Sequence, residues 1–186
     1  MIVRTAIFVM VLLVSKVLMA GSIEQYCNEA LPKTTPSERF IIDYEKETVL
    51  DTKTELMWKR CLEGSQSGAD CGHVSNPLNL PLPRQKVVWK RANEFALSSR
   101  HAGYDDWRLP TANELEDIVE RTCSDPAINL MVFPGTPRAD VWTSSLSASK
   151  SFLVTYWYVG FKTGTMNVES RDVRNTVRLV RDARLD

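Results

Sequence analysis

Apolar and polar positions change their period several times along the chain, and each change marks an element. The chain opens with Arg4, a continuous apolar run from Ala6 to Val14, and then Ser15-Lys16-Val17-Leu18-Met19-Ala20-Gly21. A basic start, an apolar run shorter than the roughly 20 residues that span a bilayer, and a small residue at Ala20 predict a signal peptide over residues 1–20. Residues 21–38 (GSIEQYCNEALPKTTPSE) are polar, carry Pro32 and Pro36, and read as an extended leader. A folded domain over residues 39–186 follows. In it FIIDYEKETVLDTKTELMWKR reads as strand, turn and second strand, with Val49, Leu50, Leu56, Met57 and Trp58 as the apolar positions of the second. HVSNPLNLPLPRQ, with three prolines, reads as a loop. Over residues 86–99, Val88, Ala92, Phe95 and Ala96 recur at helical spacing, with Lys90, Arg91 and Glu94 between them. Thr111-Ala-Asn-Glu114 is a capping box, in which the Thr hydroxyl accepts the Glu N–H and the carboxylate reaches back. The helix it opens runs to about Thr122, with Leu115, Ile118 and Val119 on one face. Pro126 and Pro134 bracket an irregular apolar stretch. From Asp140 the pattern turns to short strands: VWTSS, FLVTYWYVGF, a turn at Lys162-Thr163-Gly164, TMNVES and TVRLVRD. This order predicts an α+β fold with a mainly antiparallel sheet.

The densest stretch is GYDDWRLPT, residues 103–111. Trp107 and Leu109 alternate, so they share one face of an extended segment and point to a core, while Arg108 faces away. Pro110 holds Leu109 extended, and Thr111 starts the helix. Asp105 and Asp106 are placed to accept turn N–H groups or to pair with Arg108. A calcium site at Asp105 and Asp106 is the weaker reading, since calcium takes six or more oxygens and only part of such a shell is visible. Adjacent carboxylates point to opposite sides of an extended chain and make a poor acid/base pair.

Cysteine usage and charge narrow the environment and the partners. Four cysteines in an exported chain point to two disulfides with three possible connectivities. Cys61 and Cys71 flank LEGSQSGAD, a tight-loop composition, and are expected to pair, which leaves Cys27 with Cys123. Metal-binding spacings are missing, and His73 and His101 stand alone. Without Arg4 and Lys16, 21 basic residues face 23 acidic ones, and a net charge near −2 provides no general field for nucleic acid.

No nucleophile elbow, P-loop or dinucleotide fingerprint is present, so neither an enzymatic site nor a cofactor is expected. Two binding candidates remain. The series Arg171, Arg174, Arg178, Arg181 and Arg184 could hold sulfate or carboxylate groups, against a bland reading in which Glu169, Asp172 and Asp182 neutralise it. Tyr156 and Tyr158 fall on the opposite face from Trp157, where they either stack on a sugar ring or pack across strands.

The pieces TTPSERF, LDTKTELMWKRC, ADCG, VVWKRANEFA, GYDDWRLPTANELEDIVE, PAINLMVFPGTP, VWTSS and VRLVRD resemble, in order and over roughly residues 35–182, the family named after the C-terminal domain of the Legionella collagen-like adhesin. The resemblance implies a C-type-lectin-like fold, with two helices packed on a twisted sheet, and an exported domain that binds rather than catalyses. Two positions depart from the family pattern: Glu55 stands where glycine is usual, and the SQSGA loop lacks the frequent aromatic residue. The expectation is a periplasmic or cell-surface binding module for adhesion, taking a glycan or an envelope protein. It meets the membrane only through its signal peptide and is open to oligomerisation. The alternative is a structural subunit of a surface appendage or envelope assembly, and less so an enzyme with an unrecognised site.

Overall fold

The computed structural model describes residues 25–65, 67, 68, 70, 71, 86–148 and 153–183. The expected signal peptide, His73 and Arg184 fall outside them. In chain order the strands are β1 (Tyr26–Cys27), β2 (Phe40–Asp43), β3 (Thr48–Asp51), β4 (Leu56–Lys59), β5 (Cys123–Ser124), β6 (Asp140–Leu146), β7 (Thr155–Gly160), β8 (Thr165–Ser170) and β9 (Val180–Asp182). The helices are α1 (Trp89–Ser98) and α2 (Ala112–Asp117). Strands pair antiparallel in three sheets, ordered β1-β5, β2-β3-β4-β9 and β6-β7-β8. The fold is α+β with mainly antiparallel sheets, as the alternation of apolar positions predicts.

The β6-β7-β8 sheet stands between two cores. Alternation sends Val141 and Val159 to one side, where they pack with Leu115 of α2, with Ile118 just after it, and with Val49, Trp58 and Phe133. Trp142, Tyr156 and Tyr158 go to the other side, against Ala92 and Ala96 of α1 and against Trp107, Leu109 and Leu179. Each large side chain removed from water in this way contributes about 2–3 kcal/mol. The stretch between Pro126 and Pro134 forms no long element, yet Ala127, Ile128, Val132 and Phe133 are all buried.

Three element boundaries differ from the sequence expectation. The expected second strand divides into β3 and β4 because residues 52–55 turn back, with Glu55 at φ 57. This left-handed position explains why the resembled family favours glycine there. Helix α1 is shorter than 86–99, since Val87 bridges Asn175 as a strand residue instead. Helix α2 stops at Asp117, not near Thr122: Ile118 leaves helical geometry (φ −97, ψ 7) and Val119 bridges Ile128.

The early end of α2 frees Glu120 to turn inward. Its carboxylate accepts the backbone N–H groups of Thr34 (3.0 Å), Thr35 (2.8 Å) and Thr122 (3.1 Å) and the hydroxyls of the same three threonines (3.1, 2.9 and 2.7 Å). Burial raises the carboxyl's pKa, but these donors overcome it and hold the value at about 2. The Cys27–Cys123 disulfide and the Gln25 amide, donating to the carbonyls of Pro126 and Ile128, complete a clasp on the leader. Cys61 and Cys71 form the second disulfide, so both expected pairings are present.

The β7–β8 turn is pressed onto the core. At Gly164 (φ +73) a Cβ would lie 2.5 Å from Val119 Cγ1 and 3.2 Å from Ala127 Cβ.

Candidate functional site

GYDDWRLPT forms a structural corner. Trp107 is 2% exposed, its indole N–H donates to the His101 carbonyl at 2.9 Å, and the His101 ring meets it edge-on at 5.6 Å. Arg108 exchanges backbone hydrogen bonds with Val180, so the corner extends the sheet beyond β9. Its guanidinium forks onto both Glu114 oxygens (2.8 and 2.9 Å) and reaches Asp182 at 2.8 Å. These hydrogen bonds raise the Arg108 pKa. Burial pushes the Glu114 carboxyl up, but Arg108 and the Thr111 N–H bring it below its usual range. Glu114 and Thr111 form the expected capping box.

The two aspartates part company. Asp106 accepts from Arg181 Nε at 2.6 Å and from its terminal nitrogen at 3.1 Å, while that guanidinium lies 3.8 Å over the Tyr104 ring. The sequence suggested turn N–H groups or Arg108 as its partner. Arg181 takes that place, because β9 runs beside the corner. Asp105 is exposed. Among the described residues no three His, Cys, Asp or Glu side chains cluster as metal ligands would. His101 is half-buried with Nε2 3.2 Å from the Glu47 carbonyl, and burial, helped by Lys59, lowers its pKa.

The arginine series also divides. Arg178 is 0% exposed. It donates to the carbonyls of Lys59 (3.1 Å) and Arg60 (2.6 Å) and to the Thr136 hydroxyl (2.7 Å), and it lies 4.7 Å over the Phe133 ring. Its assignment to a surface ligand site is therefore corrected: the guanidinium fork satisfies strand-end carbonyls inside the protein and reaches no solvent. Arg181 is buried as well. Arg171 and Arg174 are exposed, and their side chains form no ion pair among the described residues.

These two arginines meet the aromatic candidates through α1. The Trp89 N–H donates to the Arg171 carbonyl at 3.0 Å, and its ring stacks on Tyr156 with centroids 3.8 Å apart and planes 11° apart. The indole N–H is held by the Thr143 carbonyl at 2.8 Å. Tyr158 is half-buried in the same cluster, where burial, Asp140 and Glu169 push its phenol pKa up. The antiparallel Val87–Asn175 bridge sets Val88 opposite Arg174 and Lys86 opposite Thr176, and Lys90 follows on α1. Both lysines are exposed and, like the two arginines, form no ion pair among the described residues. Four exposed cations thus lie on the two adjoining segments that flank the half-buried Trp89–Tyr156 stack and make up a cationic strip. Sequence reasoning missed Trp89, Lys86 and Lys90. The spacing of Trp89, Ala92 and Ala96 at i, i+3, i+7 was the available clue, since it puts the indole on the buried stripe.

A concavity of about 310 Å³ lies between the leader and α2. Its charges are spent on one another: Arg39 on Asp51 and the Asp117 carbonyl, Lys53 on Asp117, and Arg121 on Glu116.

No helix of the described residues is long and apolar enough to cross a membrane. No curated protein matches the chain. A family model does: it begins in the β2–β3 turn and ends within β9, taking in both helices, the corner and the cationic strip. The chain belongs to the Lcl C-terminal domain family, whose model matches residues 47–181.

Proposed function

We propose that this chain is an exported, non-catalytic binding module that serves adhesion or cell-surface recognition, with a glycan or an envelope protein as its ligand. Its fold is in this reading C-type-lectin-like, and it works in the periplasm or at the cell surface. The observation that carries the reading is the convergence of Arg171 and Arg174 with Tyr156 through Trp89, joined by the exposed Lys86 and Lys90. Arginine presents a planar fork suited to carboxylate or sulfate, and an aromatic edge beside it suits the apolar face of a sugar ring. Two disulfides support a domain that persists outside the cytoplasm. Membership of an adhesin-named family adds support by analogy.

A glycan array with the mature protein, joined to an affinity pull-down from envelope extract, tests the reading. Salt-sensitive binding to sulfated or uronic-acid glycans, weakened at least several-fold by Arg174→Ala, is expected. Glycan binding unchanged in Arg171→Ala and Arg174→Ala would remove the strip from the site. Silence on the array and in the pull-down would refute the reading altogether.

A further inference from the structure

The end of the three-stranded sheet beside the cationic strip is apolar as well as basic. Leu146 opposes Tyr156 across β6 and β7. The hydrogen bond from Arg171 N to the Val154 carbonyl (3.2 Å) carries the β7–β8 register one step past Thr155 and Ser170, so Arg171 opposes Val154. Residues opposed in an antiparallel pair share a face, and alternate residues of one strand do so too. Leu146, Val154, Tyr156 and Arg171 therefore lie on one face, the face onto which Trp89 stacks. Leu146 is 62% and Val154 41% exposed. Lys86, Lys90 and Arg174 lie on the segments alongside, and among the described residues the acidic neighbours are Glu169, opposite Tyr156, Asp172, Asp140, whose carbonyl holds Thr176, and Glu94 on α1, which is paired with Arg91.

We infer that this end of the molecule docks on an anionic phospholipid surface, with Leu146 and Val154 entering the headgroup layer and Arg171, Arg174, Lys86 and Lys90 meeting lipid phosphates. Each half of the patch excludes something. A sulfated sugar or a carboxylate-rich loop satisfies the cations and leaves two aliphatic side chains in water. An uncharged apolar partner covers the aliphatic side chains and strands four exposed cations at its border. A bilayer interface accepts both at once, and the Trp89–Tyr156 pair stands at the boundary where amphipathic rings are favoured. Glu94 is neutralised by Arg91, so the four cations face Glu169, Asp172 and Asp140 and still outnumber them, and attraction to negative lipid survives the local anions. This inference goes beyond the glycan reading and does not depend on it, although both use the same cations. It also departs from the sequence expectation that membrane contact ends with the signal peptide.

The test is co-sedimentation of the mature protein with phosphatidylcholine vesicles, with and without phosphatidylglycerol. The bound fraction is expected to rise several-fold with phosphatidylglycerol and to fall as salt is added. Arg171→Glu combined with Arg174→Glu should abolish the rise, and Leu146→Ser combined with Val154→Ser should cut it several-fold. All four positions are exposed, and an unchanged melting temperature certifies that each variant is folded. Equal binding to the two vesicles, or phosphatidylglycerol binding unaffected by Leu146→Ser with Val154→Ser, would overturn the inference. An acidic protein captured in the pull-down with no vesicle binding would also overturn it, in favour of a protein partner. The same aliphatic variant run on the glycan array separates the two readings: it should keep any glycan binding while losing the vesicles.

Discussion

Replacing Glu120 with glutamine removes one charge from the centre of the clasp that holds the leader. The carboxylate accepts six hydrogen bonds from Thr34, Thr35 and Thr122 and is 2% exposed. Its pKa falls from the ordinary 4.5 to about 2, because the donors outweigh the burial that opposes them. A depressed carboxylate contributes stability above its unfolded pKa and loses it as the pH drops through its folded one. At about 1.4 kcal/mol per pKa unit, the ionised Glu120 is worth about 3 kcal/mol near neutrality, and about 2 of that is gone by pH 3. Asp51 and Glu114 are also held below their usual range, against burial, by Arg39 and Arg108, so the wild type alone loses more than this in acid. The difference between wild type and Glu120→Gln cancels those contributions. Parallel urea unfolding at a series of pH values should therefore show a wild-type advantage that shrinks by about 2 kcal/mol between pH 7 and pH 3. A gap of constant size across that range would mean that the carboxylate's charge does not hold the clasp.

Two further changes probe the frame. Trp107→Ala should cost about 3–5 kcal/mol, as a buried large-to-small substitution does, whereas Asp105→Asn should stay within about 0.5 kcal/mol; equal melting temperatures for the two variants would contradict a core role for the corner. Glu55→Gly should stabilise the domain by about 1 kcal/mol, because it relieves a side chain from a left-handed backbone position, and a lowered melting temperature would show that the turn is unstrained.

The parts of the fold legible in the sequence are those written in neighbouring residues. The capping box needs only Thr111 and Glu114, the burial of Trp107 and Leu109 follows from alternation, and the Cys61–Cys71 bridge closes a loop of its own. The parts that escaped depend on partners far along the chain. Arg178 looks like one more exposed arginine until its carbonyl partner at Arg60, 118 residues away, is in place. Glu120 would continue a helical pattern if Thr34 and Thr35, more than 80 residues earlier, did not draw it inward. The candidate site shows the same division. Arg171, Arg174 and Tyr156 stand out by composition, but the stacking of Trp89 that unites them needs α1 folded back onto β7, which no local spacing encodes.

The contact beneath Gly164 reaches further than the turn in which it sits. A β-ribbon that slipped by one residue would bring Thr163 or Thr165 over Val119 and Ala127, where even a methyl-sized group collides. The steric gauge that sets the alignment of β7 with β8 thus lies at one end of the ribbon. Arg171 and Val154 lie at the other, about 20 Å away at the usual rise per residue. Which side chains face Trp89, and which cations stand beside them, is decided by a glycine that touches none of them.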